Sequence, residues 1–203
     1  MFRFLLSTLS AWLRNGRRAP DAPGKSSENS AHTQDNAERE LSALLRGLEE
    51  SPESLDLLLK TGVAFARRGD MPRSIEYFRR GVQIAPESPA LHNNLGLSLQ
   101  KTGQLSDAVR YFQNALRLNV DFPAAWHNLA NALNEIGQVE EGREAYRRCL
   151  ALAPDHVAAR SDYLLSLNYR QDVSRQEIFE EHREWARRHA LPSDTSRPMS
   201  RAR

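Results

Sequence analysis

The sequence predicts an all-α, right-handed solenoid, and three observations carry that expectation. Residues 55 to 156 divide without a gap into three 34-residue units, 55–88, 89–122 and 123–156. Residue size recurs in columns within the first half of each unit: small Gly62, Gly96 and Ala130, then large Phe65, Leu99 and Leu133, then the turn glycines Gly69, Gly103 and Gly137. The second half repeats a small residue (Ser74, Ala108, Gly142), an aromatic (Phe78, Phe112, Tyr146) and another small one (Gly81, Ala115, Cys149). Each unit therefore reads as two helices around a short turn. Small residues let the axes approach, large ones fill the space beside them, and glycine frees the reversal. Three units are about the minimum for a stable stack, so capping helices are expected at both ends.

Composition sets the outer limits. At 203 residues, 40% hydrophobic and 27% charged, the chain suffices for one domain or a short repeat array. A mean hydropathy of −0.63 is too polar for an integral membrane protein. The formal charge is only +2, and neither aromatic interleaving nor a recognised module supports nucleic-acid binding. Cys149 is the one cysteine, which excludes an intrachain disulfide and a cysteine-based metal centre. No metal and no cofactor is expected. A reducing compartment is allowed, so a cytoplasmic location is expected.

The flanking segments follow in order. In residues 1–18, Phe2, Leu5, Leu6, Leu9, Trp12 and Leu13 fall on one side of a helix, with Arg3, Ser7, Ser10, Arg14 and Arg18 opposite. Arginines without any acid fit a basic amphipathic leader helix, which leaves open a peripheral membrane contact. The apolar run is too short to span a bilayer, and its arginines follow the run where a signal peptide would want them before it. An organelle-targeting peptide and a loosely ordered leader remain alternatives. Residues 19–36, rich in Pro, Ser, Asn and Gly, read as a disordered linker. Gly24-Lys25-Ser26 is not a phosphate loop, because Ala19 stands where that loop needs glycine. Residues 37–51 form a capping half-repeat, with Leu44 in the aromatic column and Gly47 in a small column.

Beyond the third unit, 157–191 reads as an atypical repeat that caps the stack. A first helix covers 157–169, and a charged second helix over 174–190 starts at a Ser174 N-cap. Ile178, His182 and Trp185 share one face of that last helix. A packed His182 is the default there, and a partner-docking face around Trp185 is the alternative. Dimerisation through this helix stays open. Residues 192–203 read as a disordered tail.

The columns across 55–156 resemble the tetratricopeptide repeat family, which implies a superhelical solenoid whose first helices line a concave groove. Two positions depart from that pattern: Val120 stands where Pro86 and Pro154 end their helices, and Thr61 stands where Leu95 and Leu129 recur. The segment with Ser161, Leu164, Leu167, Tyr169, Ser174, Ile178, His182, Trp185 and His189 resembles the part joining repeats to catalytic domain in SPINDLY-type and O-linked N-acetylglucosamine transferases. Members of that group continue into a two-lobed domain that binds a nucleotide sugar, for which the tail PSDTSRPMSRAR has no pattern.

Asn94 and Asn128 share a column that, in those transferases, resembles an asparagine ladder holding the backbone of an extended acceptor. The resemblance implies the same role for these two residues. An amide suits it, offering a donor and an acceptor to a peptide unit. Lys60 and Asp162 depart from asparagine in that column and read as surface charges. Asn93, Leu97, Lys101, His127, Asn131 and Glu135 are the expected groove neighbours. No carboxylate lies at helical spacing to orient His127, so it is expected to be polar lining, and no catalytic residue is expected. Cys149 falls in a core column and should be inert. The expected function is polypeptide binding by a non-enzymatic scaffold. The alternative is the acceptor-binding portion of a protein O-glycosyltransferase whose catalytic domain is missing or supplied by a separate chain.

Overall fold

The computed structural model describes residues 25–167 and 174–189, and among these it contains nine helices and no strand. In chain order they are α1 (Lys25–Glu50), α2 (Leu55–Arg67), α3 (Met71–Ile84), α4 (Pro89–Lys101), α5 (Leu105–Leu118), α6 (Pro123–Glu135), α7 (Val139–Leu152), α8 (Val157–Leu167) and α9 (Arg175–His189). The chain divides into two units, Met1–Ala43 and Leu44–Arg203. In the first, the described residues belong to α1, and Ser42 Oγ donates to the Glu38 carbonyl at 2.9 Å. Helix thus occupies 25–36, which composition alone assigns to a linker. From Lys25 to Arg46 there is neither proline nor glycine, so no local breaker opposes it. The leader, 19–24 and the tail lie outside the described residues.

The second unit is a succession of antiparallel helix pairs, α2–α3, α4–α5 and α6–α7, extended by α8 and α9. Three reversals share one construction. Gly69, Gly103 and Gly137 have φ of +78°, +78° and +84°, the left-handed region that a Cβ disfavours. The glycine at each turn lets the following N–H reach back to the large-column carbonyl: Asp70 to Phe65 at 3.0 Å, Gln104 to Leu99 at 3.0 Å, Gln138 to Leu133 at 2.9 Å. This closes each helix with a Schellman-type bond and starts the next within a few residues. Asp70 then caps α3 by accepting from the Arg73 N–H at 3.2 Å.

Pairing within a unit rests on rings seated over small residues. A Cβ built on Gly62 would stand 2.6 Å from the Phe78 ring, and one on Gly96 would stand 2.8 Å from the Phe112 ring. Both rings are almost wholly buried, so they have nowhere to retreat. The third pair places its glycine on the other helix. Ala130 occupies the Gly62 column, while Gly142 replaces Ser74 and Ala108 and faces the Ala130 carbonyl and the Asn134 side chain. Between units, Ser74 Oγ and Ser98 Oγ share a buried hydrogen bond at 2.9 Å. The core then runs continuously from Ile75 to Leu167.

Both departures from the column pattern are accommodated locally. Without a proline at Val120, α5 still ends at Leu118: Asn119 Oδ1 accepts from the Asp121 N–H at 3.1 Å, and the Trp126 indole donates to the Val120 carbonyl at 2.8 Å. Thr61 is fully buried and its hydroxyl has no hydrogen-bond partner. Near the end of the stack, Ile178 packs on the core and Arg160 pairs with Glu181 at 3.5 Å. His182, two turns into α9, is exposed instead of packed. Of the described side chains on the expected face, Ile178 meets the core and His182 does not. The Trp185 side chain lies outside the described residues.

Two substitutions probe this packing. Gly62→Ala should destabilise by about 1–3 kcal/mol, since the buried Phe78 ring must move. Thr61→Val keeps the shape and removes the unpaired hydroxyl, so it should stabilise by about 1 kcal/mol. Urea unfolding midpoints at constant m-value would check both signs.

Candidate functional site

The first helices of successive pairs, α2, α4 and α6, and then α8, stand side by side, and their outward columns line two neighbouring hollows. The larger has a volume of about 890 Å³ and is bounded by Leu97, Gln100 and Lys101 of α4, Asn128, Asn131, Asn134 and Glu135 of α6, and Asp162, Leu165 and Ser166 of α8. Val139 and Tyr146 of α7 close its floor. The smaller, about 300 Å³, lies between α2 and α4, with Val63, Ala66, Phe78 and Leu97 as apolar walls and Arg67, Asn94 and Lys101 among its polar residues. Lys101 and Leu97 belong to both.

Side chains are tied across the groove by a recurring offset of 35 residues, one unit plus one position. Asn128 Nδ2 donates to Asn93 Oδ1 at 2.9 Å, His127 Nε2 meets Asp162 Oδ2 at 2.9 Å, and Gln100 Nε2 donates to Glu135 Oε1 at 2.5 Å. The offset follows from stacking: each first helix is displaced along its neighbour so that a position faces the following position of the next unit. By position, the same offset from Asn94 and Lys101 falls on Leu59 and Ala66 of the first pair. Leu59 and Ala66 offer no side-chain hydrogen bond. Among the described residues, Asn94 accordingly has no side-chain partner and Lys101 no acidic one.

His127 is the centre of a second network. The Asp162 carboxylate can only accept, so His127 Nε2 carries the proton and donates to it. Asn131 Nδ2, at 3.4 Å from the same nitrogen, then has no acceptor there. Asn131 Oδ1 is already engaged by the Tyr146 hydroxyl, which also accepts from Asn134 Nδ2 at 3.3 Å. Burial raises the Tyr146 phenol well above its ordinary value, and the Asp162 charge adds to the shift. No carboxylate lies at helical spacing from His127 within α6, but one reaches it across the stack. The carboxylate comes from the next unit, where helical spacing within α6 could not reveal it.

The expected residues separate into three groups. Asn94, Asn128, Asn131, Lys101 and Asp162 line the hollows. Asn93 is buried and serves as an acceptor for Asn128 instead of facing a ligand. Lys60 stays out of the hollows, paired with Asp56 at 2.7 Å on the exposed surface of α2. Gln100, Asn134, Tyr146 and Leu165 were not anticipated as lining. Gln100 and Glu135 were legible as a pair only through the 35-residue offset. Cys149 is fully buried, and burial pushes its thiol up to about 11. Among the described residues, no three His, Cys, Asp or Glu side chains stand together as a metal would require, and no helix is long and apolar enough to cross a membrane.

Paired helices repeating every 34 residues around a side-chain-lined groove define an α-solenoid of helical hairpins. Comparison with known sequences makes the class specific: the Tetratricopeptide repeat profile matches residues 35–89 and 93–164, and the chain belongs to that family. No curated protein matches the sequence significantly. Among solved structures, MamA 41-end from Desulfovibrio magneticus RS-1 is similar at TM-score 0.68 and 20% identity, over 82% of this chain and 95% of that one. A Thermobaculum terrenum O-GlcNAc transferase mutant is 30% identical with TM-score 0.63, over 68% of this chain but 26% of its own. YrrB, described as a TPR protein with an unusual peptide-binding site, is 19% identical with TM-score 0.62, over 78% of this chain and 81% of its own.

The Cys149 environment is directly testable. A native thiol near 11 against an unfolded one near 9.0 means that the native state holds its proton longer. Stability should therefore fall as pH rises through that window. At pH 8, labelling by a thiol reagent should be slow until denaturant opens the fold, which stopped-flow absorbance would follow.

Proposed function

We propose that this chain is a protein-interaction module that takes an extended polypeptide along the groove of α2, α4, α6 and α8, with Asn94 and Asn128 engaging its backbone. The observation that supports this most is unspent hydrogen-bonding capacity on a concave surface. Asn94 offers both its carbonyl and its amide, Asn128 keeps Oδ1 after donating to Asn93, and Asn131 has an amide proton without a good acceptor. Such groups can bond a peptide unit whatever side chains flank it. The likeness to YrrB, whose description includes a peptide-binding site, is consistent with this reading.

A second reading is favoured by one finding, the 30% identity to the Thermobaculum terrenum O-GlcNAc transferase mutant over 68% of this chain. Under it, the groove presents acceptor polypeptides to a glycosyltransferase catalytic domain. Nucleotide-sugar-dependent transfer activity co-purifying with the chain would support it, and its absence from every such complex would count against it.

The first reading is tested with Asn94→Ala. Asn94 has no side-chain partner among the described residues, so the melting temperature should hold while affinity for an array of unstructured peptides falls about 3- to 10-fold, the worth of one or two hydrogen bonds. Unchanged affinity would make Asn94 passive lining. Asn128→Ala is a poorer probe, because it strands the buried Asn93 carbonyl and should cost about 1–3 kcal/mol of stability.

A further inference from the structure

The groove is unevenly charged along its length, and the unevenness follows one sequence column. Arg67, Lys101 and Glu135 stand 34 residues apart, at the same position of α2, α4 and α6. Asp162 of α8 and Glu135 both border the larger hollow. Lys60 and Asp56 neutralise each other on α2, so they do not alter the sum. Arg67 and Lys101 have no carboxylate within ion-pair reach among the described residues, and both border the smaller hollow, whose remaining wall is chiefly Val63, Ala66, Phe78 and Leu97. At the other end, Glu135 is bonded by the neutral Gln100 amide and Asp162 by the His127 ring. Among the described residues, neither has a lysine or arginine partner.

Resting on the peptide-groove reading above, we infer that the groove selects a charge-patterned segment: an apolar side chain in the α2–α4 hollow, an adjacent Asp or Glu on Arg67 and Lys101, and a Lys or Arg farther along on Glu135 and Asp162. Size and charge complementarity carry this. The smaller hollow, about 300 Å³, is large enough for one aliphatic or aromatic side chain. The apolar wall accounts for why the cations are free: Ala66, which the 35-residue offset sets against Lys101, cannot engage it. The raised Tyr146 phenol, partly a response to Asp162 and Glu135, reports the negative character of the far end. Adjacent helix axes lie about 8–10 Å apart, so Arg67 of α2 and Glu135 of α6, two spacings apart, are separated by about 16–20 Å. An extended chain rises about 3.3 Å per residue, which sets the opposite charges about five or six residues apart.

The test uses fluorescent peptides of fixed length in three patterns: apolar–acid with a distant base, apolar–base with a distant acid, and the same backbone with glutamine at both charged positions. Each is made in both chain directions, and binding is read by anisotropy on the full chain. The apolar–acid pattern should bind about tenfold tighter than the apolar–base pattern in its better direction at low salt. The ratio should approach one near 1 M salt, where the screening length is about 3 Å. Arg67→Glu/Lys101→Glu changes two exposed side chains and should reverse the preference with little effect on the melting temperature. Equal binding of all three patterns, still weakened by Asn94→Ala, would overturn the charge assignment while leaving the peptide groove standing. Absence of binding by every pattern would overturn both.

Discussion

A buried aromatic ring resting on a residue that lacks a side chain holds the first two helix pairs together, and the rest of the molecule inherits its geometry from that approach. Phe78 over Gly62 and Phe112 over Gly96 set how closely each second helix comes to its first. Because interiors are packed at crystal-like density, this spacing cannot drift by a methyl group without moving the ring. Repetition of the same spacing makes each pair stack on the last with the same rotation. The third pair keeps the approach by moving its glycine to Gly142 and accepting Ala130, so the constraint belongs to the helix pair and not to one column.

That regular stacking is what creates the groove and wires it. A constant displacement between neighbouring first helices brings residues 35 apart face to face, joining Asn93 to Asn128, Gln100 to Glu135 and His127 to Asp162. Where both partners are polar, their capacity is partly used within the fold. Where the earlier unit supplies Leu59 or Ala66, Asn94 or Lys101 of the later one is left without such a partner among the described residues. Differences between units, on a scaffold that repeats, thus decide which groups remain for a ligand. The wiring is densest around α6, where Tyr146, Asn131 and Asn134 form a connected polar cluster beside His127.

Residues that resemble one another in sequence therefore do different work. Asn94 and Asn128 share a column, yet among the described residues one has no side-chain partner, in a small hollow, and the other is bonded to a buried neighbour. Lys60 and Asp162 share it too, one pairing locally with Asp56 and the other reaching back to His127. An asparagine ladder running evenly along the groove is not what the fold presents. Two amides at unlike stations, bracketed by opposite charges, make a surface with direction.

The repeating units were legible from residues alone because their causes are local. Turn glycines need left-handed backbone, prolines such as Pro86 and Pro154 mark helix ends, and apolar spacing of three and four defines a helix whatever surrounds it. The Gly62, Gly96 and Ala130 column announced the close approach for the same reason: residue size is visible in a sequence. Helix over 25–36 was not legible, since polar residues without a breaker are compatible with helix or coil. The carboxylate beside His127, the burial of Asn93 and the exposure of His182 were also hidden. Each depends on the displacement of one helix along another or on how far the last helix reaches along the stack, which only the packed tertiary structure decides.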